Sequence, residues 1–428
     1  MIVIVATLDS KGEKAAYMRQ VIESKGGKTL VIDCGVMGKP HFKADISRQQ
    51  VAEAAGTTIN DLRSRISEEA RAMRIMAQGA SKIVLGLYSA GRLDGLLGVG
   101  GTMGTSLFLT VSNTLPMGVP KVIYSTTAFS PYLRPTLIPP DLIMIPAVSD
   151  IWGLDTLSKR ALENAAATIL AVSQVYKEGE DLRDRNFIGI STLGTSALKY
   201  IIWLKPLLED LGNEVVAFHV GGGQGWSFER LLRQGLIKGV LDLCVIDVCP
   251  DNIAKQGFLS MAKRLETAAE LGIPQIVAPG SLCEIIWPKS PDELPARFRN
   301  RIMRQHNDLV WTTERSLHEA AETANIIASA LNKGTGPRAI VIPARSTSTW
   351  DEPGLPYYNP KRIKAFTKAI KTRLHPNVEL VELDLSINDR IFAEEVARLY
   401  ASLVSKNLTA ARAPLNATRD VKVKTDIQ

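Results

Sequence analysis

The sequence predicts an α/β protein with mostly parallel sheets, and three observations carry that prediction. Short, β-branched apolar runs alternate with stretches of helical periodicity along almost the whole chain. That is the pattern of strands buried on both faces beneath covering helices. A glycine-rich turn at residues 93–107 closes one such run and opens a helix. The third observation is an internal echo. Ile190-Ser191-Thr192-Leu193-Gly194-Thr195 falls on Val5-Ala6-Thr7-Leu8-Asp9-Ser10 at an offset of 185, and Val215-Val216-Ala217 falls on Leu30-Val31-Ile32 at the same offset. A duplicated, doubly wound unit explains both matches, so two Rossmann-like subdomains with a ligand cleft between them are expected.

A chain of 428 residues exceeds one typical core. The expected division is 1–185 for the first subdomain with its linker helix, 186–405 for the second, and 406–428 for a flexible tail. Hydrophobic residues at 45% and charged residues at 22% are those of a globular protein. The net charge of +7 is spread out, without an aromatic-interleaved basic stripe, which argues against nucleic acid. Cys34, Cys244, Cys249 and Cys283 lack metal or redox spacing and read as reduced core residues, so a cytoplasmic location is expected. Residues 2–5 start a strand with no basic region before them, and no run approaches the roughly 20 apolar residues of a membrane span.

In order, residues 2–6 read as the first strand, 13–24 as a helix stopped by Gly26-Gly27, and 30–33 as the second strand. Residues 48–59 and 66–79 read as helices and 83–87 as a strand. Strands at 96–99, 121–125 and 142–146 follow, then an alanine-rich helix at 157–176 and a charged linker at 177–185. The second half places strands at 187–191, 215–218, 239–244, 275–278, 339–343 and 378–384. A helix at 227–233 with Ser227 as its cap follows the glycine turn 221–225, and a last helix spans 389–405.

Strand ends carry Gly, Thr, Ser, Asp or His throughout, and open α/β sheets bind ligands outside those ends. Gly100, Gly101 and Gly104 allow close backbone approach, while Thr102 and Thr105 add hydroxyls beside a helix start that favours phosphate. Thr127, after the strand at 121–125, and Thr7, after the first strand, join that binding set. Asp9 either holds Mg²⁺ through water or caps a helix, and Lys11 either neutralises phosphate or is solvated. His219 and His306 stand beside a glycine turn and an Asn307-Asp308 pair that could fix a tautomer, so they are the acid/base candidates, with a purely structural role as the alternative. Asp247 and Glu284 follow strand ends as a candidate acid/base or metal pair.

Several of these segments together resemble one family. They are Thr7-Leu8-Asp9-Ser10-Lys11-Gly12-Glu13, Gly100-Gly101-Thr102-Met103-Gly104-Thr105, Phe218-His219-x-x-Gly222, Gly272-Ile273-Pro274-Gln275 with Pro279-Gly280, His306-Asn307 and Ser386-Ile387-Asn388-Asp389. The family is that of the ATP-binding domain of the tomato mosaic virus resistance protein, with bacterial and fungal relatives. The resemblance implies ATP binding with magnesium. Residues 224–229 and 244–249 depart from the family pattern, which puts a shared substrate in question more than shared nucleotide binding. The expected function is Mg-nucleotide binding, coupled to an enzyme acting on a small acidic metabolite, in a homodimer. A nucleotide-gated interaction module without turnover is one alternative. A nicotinamide enzyme is another, favoured by Asp33 at the end of the second strand and opposed by the missing glycine spacing at residues 7–12.

Overall fold

The computed structural model describes residues 1–64, 68–150, 152–179, 182–261 and 263–412, without the side chains of 183 and 406–412. The chain forms two compact units, the first Met1–Leu182 and the second starting at Arg183.

The first unit runs β1 (Ile2–Ala6), α1 (Leu8–Ser24), β2 (Thr29–Asp33), α2 (Arg48–Ala54), α3 (Ile59–Arg63), α4 (Glu69–Ser89), β3 (Gly95–Gly100), α5 (Thr102–Ser112), β4 (Lys121–Ser125), β5 (Leu142–Pro146) and α6 (Thr156–Glu178). Its five strands are all parallel, in the order β2-β1-β3-β4-β5. Alternation along β1 sends Val3 and Val5 into one apolar layer with Met76, Val84 and Phe108, while Ile2 and Ile4 face Met18, Ile22 and Leu162 in the other. Both faces are covered, which is why the strands read as unbroken apolar runs.

Two expectations fail here. Residues 83–87 are not a strand but the last turns of α4, with Ala80, Val84 and Leu87 buried at helical spacing and Leu85 exposed. A five-residue apolar run has the same composition in either state, and only its neighbours decide. The single helix expected at 48–59 is broken after Ala54. Gly56 turns the chain at φ +81°, and Thr58 caps a new helix by accepting from the Asp61 N–H at 3.2 Å. Residues 66 and 67 of the next expected helix lie outside the described residues, as do 180 and 181 of the expected linker.

The second unit runs β6 (Phe187–Thr192), α7 (Tyr200–Glu209), β7 (Glu214–His219), α8 (Gln224–Arg233), β8 (Ile237–Cys244), α9 (Asp251–Ala254), α10 (Glu266–Glu270), β9 (Gln275–Gly280), β10 (Glu284–Trp287), β11 (Met303–Gln305), β12 (Trp311–Glu314), α11 (Leu317–Asn332), β13 (Arg338–Pro343), α12 (Pro360–Arg373), β14 (Glu379–Leu383) and α13 (Arg390–Arg412). Its main sheet is parallel in the order β14-β13-β9-β8-β6-β7. Numbered from each unit's own first strand, both sheets share the core order 2-1-3-4-5, and the second adds a sixth strand. The offset of 185 therefore has a topological counterpart. A small antiparallel sheet, β10-β12-β11, was not anticipated. It lies over a separate aromatic cluster of Phe258, Trp287 and Phe298. Ser227 is not a cap, because α8 begins at Gln224, after Gly223 at φ +91°. Helix α13 continues to Arg412, so 406–412 of the expected tail are helical, and 413–428 lie outside the described residues. Among the described residues, no helix is long and apolar enough to cross a membrane.

Candidate functional site

The glycine turn separates glycines that the fold requires from glycines that it does not. A Cβ on Gly98 would lie 2.2 Å from the Phe108 ring, and one on Gly100 would lie 2.7 Å from the Gly104 backbone. Those two residues let α5 pack onto β3. Gly101 caps α5 with φ −80° and ψ −157°, angles open to any residue, and its Cβ would meet only Thr126 Oγ1, at 3.6 Å. A Cβ on Gly104 would meet only the Val99 carbonyl oxygen, at 3.4 Å. Neither backbone nor packing demands glycine at 101 or 104. The first N–H groups of α5 lack intrahelical acceptors, and the helix dipole adds positive potential there.

Gly100, Gly101, Thr102 and Gly104 line a cavity of about 700 Å³ together with Thr7, Asp9, Ser10 and Lys11. That size suits a small-molecule ligand. The cavity sits at the C-terminal ends of β1 and β3, neighbours whose onward connections diverge, which is the switch-point crevice of a doubly wound sheet. Val36, Leu62, Ala72 and Met73 add apolar surface to the wall, beside the Glu69 carboxylate.

Asp9 lies in the first turn of α1, and its Oδ2 accepts the backbone N–H groups of Met37 (3.1 Å) and Gly38 (3.2 Å). It anchors the loop after β2. Lys11 is half-buried. Burial and then the like charge of Lys14 hold its ammonium below the ordinary lysine range, with Asp150 opposing them. Thr7 Oγ1 and Ser10 Oγ are 2.8 Å apart. Thr105 and Thr127 do not line the cavity. Their buried hydroxyls join through Ser125, at 2.7 and 3.1 Å, and tie α5 to the end of β4. Glu69, Met37 and Gly38 also line the cavity, and the sequence reading missed all three. A glycine spaced closely after a strand end, as Gly35 and Gly38 are, was the available signal.

Magnesium fits this donor set only as a phosphate-held ion. Asp9 and Glu69 supply carboxylates, and among the described residues no group of three or more His, Cys, Asp or Glu side chains could hold a metal. Such an ion takes one or two carboxylates, water and phosphate oxygens. Asp33 is buried and engaged on both oxygens: Oδ1 accepts from Leu8 N (3.1 Å) and Gly35 N (2.8 Å), and Oδ2 from Arg48 Nε (3.0 Å). A ribose hydroxyl would have to reach a carboxylate that is only 2% exposed.

In the second unit, His219 ends β7 and its ring lies against Gly221, whose Cβ would be 3.4 Å from Nε2. Burial and the nearby His306 both push its pKa below the ordinary histidine value. The two histidines therefore come together. Asn307 Oδ1 accepts the backbone N–H groups of Leu309 and Val310 (2.8 and 3.0 Å), which fixes the turn beside His306. Asp247 and Glu284 do not pair with each other. Asp247, with Asp242 and Glu229, surrounds the buried Arg264 guanidinium at 2.6–3.3 Å. Glu284 lies 3.3 Å from Arg304, and burial raises its pKa. Neither arginine was singled out from the sequence.

The profile of the Uncharacterised protein family (UPF0261) N-terminal domain matches residues 1–178, and that of its C-terminal domain matches 185–404. A UPF0261 protein of Clostridium tetani is 34% identical over 95% of this chain and 99% of its own length. One from Brucella melitensis is 32% identical over 95% of this chain and 96% of its own. The ToMV resistance protein Tm-1 of Solanum lycopersicum is 29% identical over 74% of this chain, a match spanning 42% of that longer protein. With both family domains matched in order, the chain belongs to the UPF0261 family.

Proposed function

We propose that the chain binds a magnesium-complexed adenine nucleotide, ATP, in the first-unit cavity, with its phosphates on residues 100–104. The observation that carries this reading is Gly101, a glycine that neither dihedral angles nor packing requires, at the mouth of a helix start lining a cavity. Lys11 supports it as a partly desolvated cation that gains from a phosphate partner, and the apolar wall suits the base. The engagement of Asp33 on both oxygens counts against a nicotinamide cofactor. Turnover of a small acidic metabolite belongs to the same proposal, with His219 and His306 as candidate proton carriers. The test is calorimetry with ATP, ADP and NAD, with and without Mg²⁺, on the native chain and on Gly101→Val. Expected are magnesium-dependent ATP binding and its loss in the variant, with far-ultraviolet dichroism unchanged. Equal affinity in the variant, or a preference for NAD, would overturn the reading.

A further inference from the structure

A second hollow of about 940 Å³ adjoins the nucleotide cavity on the far side of Met37 and Gly38, residues that line both. Four cations line it: Lys39, Lys43, Arg48 and Arg63. Its two carboxylates are already matched, Asp33 by Arg48 (3.0 Å) and Asp45 by Arg19 (3.1 Å). The lining therefore carries surplus positive charge. Arg48 is 3% exposed, and its guanidinium is only partly satisfied. Nε donates to Asp33 and Nη1 to the Gly38 carbonyl oxygen (2.7 Å), while buried Nη2 has no hydrogen-bond partner. A buried charged donor without an acceptor is costly, and guanidinium geometry matches carboxylate and phosphate oxygens.

We propose that this hollow seats a small oxyanion, the carboxylate or phosphate head of a second ligand, on Arg48, Lys39, Lys43 and Arg63. The oxyanion neutralises the surplus charge of Lys39 and Lys43 beside the Arg48 guanidinium. Its role as the acidic co-substrate rests on the nucleotide reading, but the binding of the anion does not. The shared Met37–Gly38 wall, held by Asp9, places the seat beside the nucleotide.

Calorimetry with inorganic phosphate and with succinate tests the seat in the full chain. The Gly101→Val background removes phosphate binding at the glycine turn, and the two probes distinguish the head groups. The expected result is one site for at least one probe, weakened tenfold or more by Lys39→Ala with Lys43→Ala. Both of these lysines are exposed, so the variant keeps its fold. Arg48→Lys should abolish the site. ATP affinity of the lysine double variant in an otherwise native chain should be unchanged. No binding of either probe, an unchanged affinity in the lysine variant, or succinate competing with ATP would overturn the seat. If ATP fails to bind the native chain while the probes bind as described, the nucleotide reading falls and the seat stands.

Discussion

Arg48 Nε lies 3.0 Å from Asp33 Oδ2, and both side chains are buried. Asp33 also caps α1 through the Leu8 N–H, so this pair ties α1, β2 and α2 together. Removing one partner leaves a buried charge uncompensated. Arg48→Met should cost about 3–5 kcal/mol in urea unfolding. Adding Asp33→Asn, which keeps an acceptor for Leu8 and Gly35, should recover most of that loss. A double variant no more stable than Arg48→Met would show that the charge is not the cause.

The glycines of the turn should separate into two classes by stability. Gly100→Ala drives a Cβ to 2.7 Å from the Gly104 backbone, which cannot move aside cheaply. Thermal or urea unfolding should show a loss of about 1–3 kcal/mol. Gly101→Ala meets only Thr126 Oγ1 at 3.6 Å, so its stability should stay within about 0.5 kcal/mol of the parent. Equal destabilisation by both substitutions would contradict the division.

Strands of the first unit were legible because a parallel strand covered on both faces is apolar without interruption. Residues 121–125 and 142–146 were read with the boundaries that the structure shows. The same rule failed at 83–87, where a helix buries a similar run, and it could not find β10–β12, whose short antiparallel segments mix Glu, Arg, Thr and Trp. At the site, the glycine turn and the strand-end residues of β1 were legible as local motifs. Met37, Glu69 and Arg48 were not, since they reach the cavities from separate elements. Which hydroxyls would face inward, as those of Thr105 and Thr127 do, was not legible either.

Burial pushes the Asp247 carboxyl up to about 6, helped by the charge of Asp242 and opposed by Arg264. An acid that ionises at higher pH when folded subtracts stability as pH rises between its unfolded and folded values. That interval runs from the ordinary 3.8 to about 6. The full loss, complete by neutral pH, is roughly 3 kcal/mol. Asp247→Asn should flatten this slope, measured by urea unfolding from pH 4 to pH 8. A slope equal to that of the parent would assign the pH dependence to other groups.

His219 titrates low because of burial and because His306 is near. Replacing His306 with alanine should raise the His219 pKa while leaving it below the ordinary histidine value, since burial persists. Ring-proton NMR titration reads this directly. An unmoved His219 titration would separate the two imidazoles and remove the pair as a proton-carrying unit.

A Cβ at position 35 would strike the Asp9 carboxylate carbon at 2.7 Å, and one at position 38 would press on the Asp9 Cβ at 3.2 Å. Asp9, Gly35 and Gly38 thus constrain one another across a gap of more than twenty residues in the chain. A side chain at position 35 or 38 would therefore push the Asp9 carboxyl away from the loop it holds. The glycines at 35 and 38 thus guard the Met37–Gly38 wall between the two hollows, because that wall hangs on the Asp9 carboxylate.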